Sequence, residues 1–286
     1  MKTRLFILLL LFGTVELRAQ RDDFIGCGEL LFSAGGMNYL GDLNGQSAFG
    51  TPNLAYGFGF RYRIDTRWAL RGEFSMGRVA SGDDIIPLRN LGFRSDITEL
   101  SLVAEFNFTS YGEGRSDGSW TPYLFGGLAV FHFDPMAQVV DADGAMRWVE
   151  LQPLHTEGQA SVQYPDRKPY LLFQVSMPFG VGVKCRLGRH CSLSAEYGFR
   201  KTWTDYLDDV SKTYVEAEVL RANYTDGELA AQLADRSGEV RPGYVNAPGI
   251  KRGDDSLDDW YAYFHVSFGL SLEPLLGWTR RKKCKL

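Results

Sequence analysis

In Leu54-Ala55-Tyr56-Gly57-Phe58-Gly59-Phe60-Arg61-Tyr62-Arg63-Ile64, the large residues Leu54, Tyr56, Phe58, Phe60, Tyr62 and Ile64 alternate without a break with Ala55, Gly57, Gly59, Arg61 and Arg63. Successive side chains of a β-strand point to opposite faces, so the run predicts a strand with one greasy face and one small or charged face. Past Asp65 and Thr66 the pattern resumes, with Trp68, Leu70, Gly72, Phe74 and Met76 set against Ala69, Arg71, Glu73, Ser75 and Gly77. The two runs read as an antiparallel hairpin.

Outward from this hairpin the same period recurs at Glu99 to Phe108, Trp120 to Phe133, Tyr170 to Leu187, Cys191 to Thr204 and Trp260 to Leu272, and more weakly at Phe24 to Gly35. That makes eight strands. Alternation alone also fits a soluble sandwich, and the connections arbitrate. Residues 36–52, 79–96, 134–169 and 205–259 form long connections, while 65–66, 110–119 and 188–190 form shorter ones. Long and short connections alternating around an even strand count is the outer-membrane pattern, with turns in the periplasm and loops outside. Aromatic girdles are expected at Tyr62, Trp68, Trp120 and Tyr123 on the inner side and at Tyr170, Trp203, Trp260 and Tyr261 on the outer side. The fold class is therefore all-β: an eight-stranded antiparallel transmembrane β-barrel with long extracellular loops and short periplasmic turns. The longest loop carries a helix-like stretch, Val215 to Arg236, broken at Asn223 to Gly227.

The ends and the composition agree with export. Met1, Lys2, Thr3 and Arg4 precede the short apolar run Leu5 to Phe12, which reads as a secretory signal peptide over residues 1–19, cleaved after Ala19. The run is too short to span a bilayer as a helix, which takes about 20 apolar residues. Cys27 follows the charged stretch Arg21 to Asp23 and is poorly placed for lipidation. The body of the barrel is expected over 20–272 and a basic periplasmic tail over 273–286, with Arg280, Arg281, Lys282, Lys283 and Lys285. The 32 Gly, 14 Tyr, 19 Phe and 6 Trp suit strands with one apolar and one wet face. A mean hydropathy of -0.20 agrees with that balance. The net charge of -4, with no basic patch of interleaved aromatics, argues against nucleic-acid binding.

If the large residues face lipid, the other face points Arg61, Arg63, Arg71, Glu73, Glu99, Glu105, Lys184, Glu196 and Arg200 into the barrel. Eight strands leave room for side chains only, so these groups are expected to pair in an interior polar network rather than to line a solute path. Catalysis on outer-leaflet lipid would need a nucleophile, a histidine base and a carboxylate. Only His132, with Asp134 beside it, sits near an outer strand end, and no nucleophile-elbow motif accompanies it. Neither a catalytic site nor a cofactor is expected. Asp208, Asp209, Asp254, Asp255, Asp258 and Asp259 lack the glycine-centred ligand spacing of a calcium loop and read as a solvated acidic loop. Cys185 and Cys191 flank Arg186 to His190, and a hairpin centred on Gly188 would set them opposite each other, a candidate disulfide. Cys27 and Cys284 have no obvious partner.

Three stretches go beyond a generic barrel: Asn38-Tyr39-Leu40-Gly41-Asp42-Leu43-Asn44, Met177-Pro178-Phe179-Gly180-Val181-Gly182-Val183-Lys184, and Glu196 to Ser211, which reads EYGFRKTWTDYLDDVS. Together they resemble the PorG family, a small outer-membrane barrel of the type IX secretion and gliding apparatus. The resemblance runs from about Gly28 to Leu272 in strand order and loop placement, and its motif positions are Asn38, Tyr39, Gly41, Asp42, Tyr206, Asp208 and Asp209. It implies a non-enzymatic structural role, association with the periplasmic ring of PorK and PorN, and contact through the turn Ser110 to Ser119 and the tail. The long third loop and the basic tail depart from the simplest family pattern. The alternative is an OmpA-like surface-binding or adhesin barrel whose acidic outer loops, Asp134 to Pro169 and Asp205 to Asp259, hold an extracellular ligand.

Overall fold

The computed structural model describes residues 27–44, 52–83, 85–111, 118–141, 143–188 and 190–272. The expected signal peptide, the basic tail and Cys284 lie outside these residues. Ten strands form: β1 (Cys27–Leu40), β2 (Asn53–Arg63), β3 (Trp68–Gly82), β4 (Gly92–Asn107), β5 (Trp120–His132), β6 (Pro135–Val140), β7 (Met146–Glu150), β8 (Phe173–Arg186), β9 (Cys191–Thr202) and β10 (Trp260–Ser271). Eight of them, in the cyclic order β1-β2-β3-β4-β5-β8-β9-β10, pair antiparallel with both neighbours and close into a barrel. Every barrel edge is thereby satisfied, which is how a sheet avoids exposing unpaired backbone groups. The fold class is the one the alternation gives.

Period two sets the faces. On β2, Tyr56, Phe58, Phe60 and Tyr62 are exposed outward, while Ala55, Arg61 and Arg63 are buried inward. Register carries this face around the wall, as where Phe58 lies opposite Phe32 and Phe74, and Leu102 opposite Leu128. Glycine makes room inside. A Cβ on Gly180 would sit 2.3 Å from the Tyr197 carbonyl oxygen, and one on Gly182 would lie 2.6 Å from the Tyr123 ring. The two glycines of the Met177 to Lys184 motif thus clear space for inward aromatic rings.

Several boundaries differ from the sequence reading. Gly36 to Leu40, read as loop, continues β1; residues 79–82 continue β3, and β4 already starts at Gly92. Pairing persists there because Met37, Tyr39, Val79 and Phe93 point inward and pack in one cluster beneath the loops, so burial continues after the outer alternation ends. The connection after β5 holds the hairpin β6–β7, which extends the sheet from β4 through Arg94↔Met136 and Ser95↔Pro135. The helix-like stretch is realised as α1 (Ala217–Asn223), α2 (Gly227–Ala234) and the single turn α3 (Ser237–Val240). The girdles also need correction. Tyr62, Trp68, Trp120 and Trp203 are exposed, but Tyr123 and Tyr261 face the lumen and Tyr170 is buried among the loops. Each of these three tyrosines spends its hydroxyl on a buried carboxylate, which an apolar surface could not offer.

At one end, the described residues of the connections, chiefly 41–44, 85–91, 133–141, 143–172 and 203–259, fold over the barrel mouth as a cap. Its apolar core joins Ala137 and Val139 of β6, Leu154, Leu220 of α1 and Ala230 and Leu233 of α2. The opposite end carries the connections 64–67, 108–119 and 187–190 and is called the turn end below.

Candidate functional site

The lumen is the first candidate. Inward positions bury five cations, Arg61, Arg63, Arg71, Lys184 and Arg200, and five carboxylates, Glu29, Glu73, Glu99, Glu105 and Glu196. Glu105 is the hub: it takes Lys184 Nζ at 2.6 Å, Arg61 Nε at 2.9 Å and Arg71 Nε at 3.3 Å. Glu196 takes Arg71 Nη2 at 2.7 Å and the Tyr123 hydroxyl, with His265 Nε2 at 3.6 Å. Glu29 holds Arg61 at 3.2 Å and Arg63 at 3.6 Å, and Glu99 takes the Tyr261 hydroxyl at 2.5 Å and Arg200 Nε at 3.4 Å. Glu73 accepts from Ser33 Oγ at 2.8 Å and faces Arg71 at 3.5 Å. Five cations face five carboxylates inside the barrel, so each desolvated ion has an opposite charge within 4.0 Å, as burial of a charge demands. The nine lumen positions named from sequence, Arg61, Arg63, Arg71, Glu73, Glu99, Glu105, Lys184, Glu196 and Arg200, are all brought together here. Glu29, Tyr123 and His265 complete the set; the parity of Glu29 against Leu30 and Phe32 was the signal for the first.

The second candidate is the mouth, where two of the sequence motifs meet through Tyr39 and Asp208, 169 residues apart. Tyr39, at the loop end of β1, donates its hydroxyl to Asp208 Oδ2 at 2.6 Å and lies 2.9 Å from Asp259 Oδ1. Asp259 Oδ2 accepts the Leu207 amide and Asp208 Oδ1 the Val210 amide, each at 2.9 Å. A Cβ on Gly41 would lie 1.9 Å from Asp259 Oδ1 and 2.2 Å from the Tyr39 hydroxyl, so only glycine fits. Asn44 Nδ2 donates to the Tyr39 carbonyl at 2.8 Å, Asp42 Oδ2 accepts the Asp254 amide at 2.7 Å, and Asn38 is buried beside them.

Above this seam Glu157 and Arg252 tie the cap together. Glu157 accepts the Ser211 and Lys212 amides at 3.0 Å, the Tyr206 hydroxyl at 3.2 Å and Arg252 Nη1 at 3.1 Å. Asp209, with a left-handed φ of 65°, accepts from Thr156 and, at 2.8 Å, from Tyr170. Arg252 also donates to the Ala234 carbonyl at the end of α2, and Arg89 to the carbonyls of Asp42 and Arg252. Burial pushes the Asp209 carboxyl up to about 6. Burial, then the charges of Asp42, Asp208 and Glu157, pushes Asp205 up to about 9. Asp208 and Asp259 are both raised by burial, and Asp259 further by the charges of Asp208 and Asp205. The solvated acidic loop expected from sequence is thus corrected at Asp208, Asp209 and Asp259, which are buried, while Asp254, Asp255 and Asp258 stay at or near the surface. No amphipathic period links Glu157 to Arg252, so nothing in the sequence marked this hub.

The remaining positions do not assemble. His132 faces outward with its ring on Phe173, centroids 4.7 Å apart, while Asp134 accepts the Asp96 amide. No grouping of three or more metal-ligating side chains occurs among the described residues. Cys185 and Cys191 are free thiols on one outward face. Arg186 pairs with Ser192 and Cys185 with Leu193, so the hairpin is centred one residue beyond Gly188 and the cysteines are offset diagonally. Diagonal neighbours stand about 7–8 Å apart, too far for a bridge.

The geometry defines a closed eight-stranded antiparallel barrel with an ion-paired interior and a folded cap, and among the described residues no helix is long and apolar enough to cross a membrane. The sequence matches the family described as domain of unknown function DUF6089 over residues 2–146, half of the chain, and the protein belongs to that family. A comparison with curated protein sequences returned no match. Among solved structures, Ail of Yersinia pestis in complex with the heparin analogue sucrose octasulfate aligns at 8% identity over 86% of this chain and 98% of its own, with a TM-score of 0.39. The outer membrane protein OprG of Pseudomonas aeruginosa aligns at 11% identity over 87% and 98%, also at 0.39. Neisserial surface protein A aligns at 9% identity over 85% and 96%, at 0.38.

Proposed function

We propose that this protein is a non-enzymatic outer-membrane anchor: a barrel inserted with its cap outside and its turn end in the periplasm, serving type IX secretion by attaching the PorK and PorN ring to the membrane. The observation that carries the anchoring role is the combination of an apolar wall with an interior of buried, paired charges. Phe58, Leu102 and Leu128 are 59%, 61% and 67% exposed around the wall, a surface that water tolerates poorly and hydrocarbon accepts. The buried inward charges contact one another across the lumen, which on this reading suits a barrel that holds something in place rather than one that conducts.

The type IX assignment rests on the resemblance of the three motifs, two of which converge on the Tyr39–Asp208 contact. The ring is reached from the turn end. Of the segments that resemblance implicates, only Ser110, Tyr111, Gly118 and Ser119 of the turn fall among the described residues. Brief crosslinking of tagged barrel in gently solubilised outer membranes, with mass spectrometry of what co-purifies, tests the reading. Recovery of ring proteins supports it; a barrel recovered without them, in cells that still export cargo after loss of the gene, rejects it.

A surface-binding role is favoured by one feature. The cap carries a groove of about 450 Å3 between α1, α2 and residues 244–248, lined by Glu216, Glu218, Glu228 and Asp235. Deleting 214–248 would abolish ligand capture but not secretion on that reading.

A further inference from the structure

The barrel sheet is closed, but the hairpin attached to it ends in an open edge. β6 leaves the loop end of β4 through Arg94↔Met136 and Ser95↔Pro135, β7 pairs with β6, and no strand among the described residues pairs with the far side of β7. The bonds at the two ends of the hairpin fix which backbone groups point that way. The Asp141 amide donates to the Ala145 carbonyl and the Leu151 amide to the Pro135 carbonyl, both at 2.8 Å. In an antiparallel pair, residues that exchange ladder bonds alternate with residues that do not. Arg147 and Val149 therefore bond to Val139 and Ala137 of β6, and the N–H and C=O groups of Met146, Trp148 and Glu150 face outward with no partner among the described residues.

Edges are commonly blocked by a proline, a bulge or a covering loop. β7 contains no proline, and its five pairs with β6 run without a bulge. Its outer face is apolar: Val140, Met146 and Trp148 are 61%, 70% and 39% exposed, and the Arg94 guanidinium lies over the Trp148 ring at 3.9 Å. Of its two charges, Arg147 is held by Asp141 at 2.8 Å, while the exposed Glu150 has no ion-pair partner among the described residues. A row of amide donors and acceptors about 7 Å apart is matched by another extended polypeptide. A second copy of β7 is the wrong one. Arg147 and Glu150 lie on opposite faces, so any antiparallel register that joins the outward amides of two β7 strands sets Glu150 against Met146, Trp148 or another Glu150, never against Arg147. The cation that Glu150 lacks must come from a different chain.

We propose that β7 is a docking edge for an extended segment of another protein, which adds to it as a further antiparallel strand, with an apolar residue beside Trp148 and a lysine or arginine opposite Glu150. Backbone bonds to Met146, Trp148 and Glu150 supply the affinity, and the two cross-strand pairs set the register. The site goes beyond the anchoring reading and needs neither the ring nor the orientation in the membrane.

The test uses the full-length barrel in nanodiscs and a fluorescent peptide in which lysine, valine, isoleucine, threonine and valine follow one another between serine flanks. Anisotropy should show saturable binding. Methylating the backbone nitrogens of the first, third and fifth of these residues, which would face β7, should weaken it at least about tenfold, as expected for three lost backbone bonds. Methylating the second and fourth should leave it unchanged. Glu150→Lys, an exposed change that spares the hairpin, should reverse the preference for lysine over glutamate at the first position. On binding, amide exchange should slow at Met146, Trp148 and Glu150 but not at Arg147 and Val149, which β6 already holds. Absence of saturable binding, an affinity indifferent to which nitrogens are methylated, or a preference unmoved by Glu150→Lys would each overturn the proposal. So would protection of Met146, Trp148 and Glu150 before peptide is added in a particle with the mass of two barrels, since the edge would then belong to a second copy.

Discussion

Glu105 shows at the scale of one residue what the lumen depends on, since Arg61, Arg71 and Lys184 all point their charge at it. Glu105→Gln leaves three buried cations short of a counter-charge, and breaking a buried pair in this way costs about 3–5 kcal/mol. The urea midpoint of barrel refolded into vesicles should fall accordingly; an unchanged midpoint would mean the network is not what fills the bore. At the mouth, Gly41→Ala forces a methyl group into Asp259 and the Tyr39 hydroxyl, and should detach the 203–211 segment from the rim without unfolding the wall. Amide exchange there, normalised to the intrinsic rate, reads the effect. The same segment carries a pH dependence of definite sign. Its carboxyl groups have folded values above the unfolded reference of about 3.9, so they stabilise the cap most when protonated. That contribution is lost as pH rises from the unfolded reference of about 3.9 through the folded values, about 6 at Asp209 and about 9 at Asp205. Exchange at 205–211 should therefore increase across that window, and Asp208→Asn should flatten the rise.

Among the elements, β4 and β5 present an exposed apolar face, with Leu102 paired to Leu128. A lysine at Leu128 near the middle of the wall should destabilise the barrel in vesicles by about 2–4 kcal/mol, whereas Val245→Lys on the cap should be neutral. Equal tolerance at both positions would mean the wall does not meet hydrocarbon. These strands were legible because burial on one side imposes period two on them, and both the barrel and nine of the ten lumen charges were read from parity, Glu29 being the exception. The ends were not, because beyond the wall β1 and β4 keep pairing over Met37, Tyr39 and Phe93, whose burial is supplied by the cap and leaves no alternation to read. Parity also held the answer for Tyr123: it shares a face with Phe125, opposite Leu124 and Leu128, and so belongs inside. The cap was illegible for a different reason. Glu157 with Arg252, and Thr156 with Asp209, are single long-range contacts that no local pattern announces.

At the scale of the whole molecule, the proposed anchoring role of an apolar cylinder with a balanced ionic bore predicts that planar bilayers containing it show no steady conductance. The central claim is that this barrel sits in the outer membrane with the cap outside. In a cysteine-free background, Val245→Cys on the cap, Phe58→Cys on the wall and Leu187→Cys in a connection at the turn end sample the three environments, all at exposed positions. A membrane-impermeant maleimide applied to intact cells should label position 245 at once. Position 187 should react only after the outer membrane is permeabilised, and position 58 not until the protein is unfolded. Labelling of all three in intact cells, or of 187 before 245, would contradict the account.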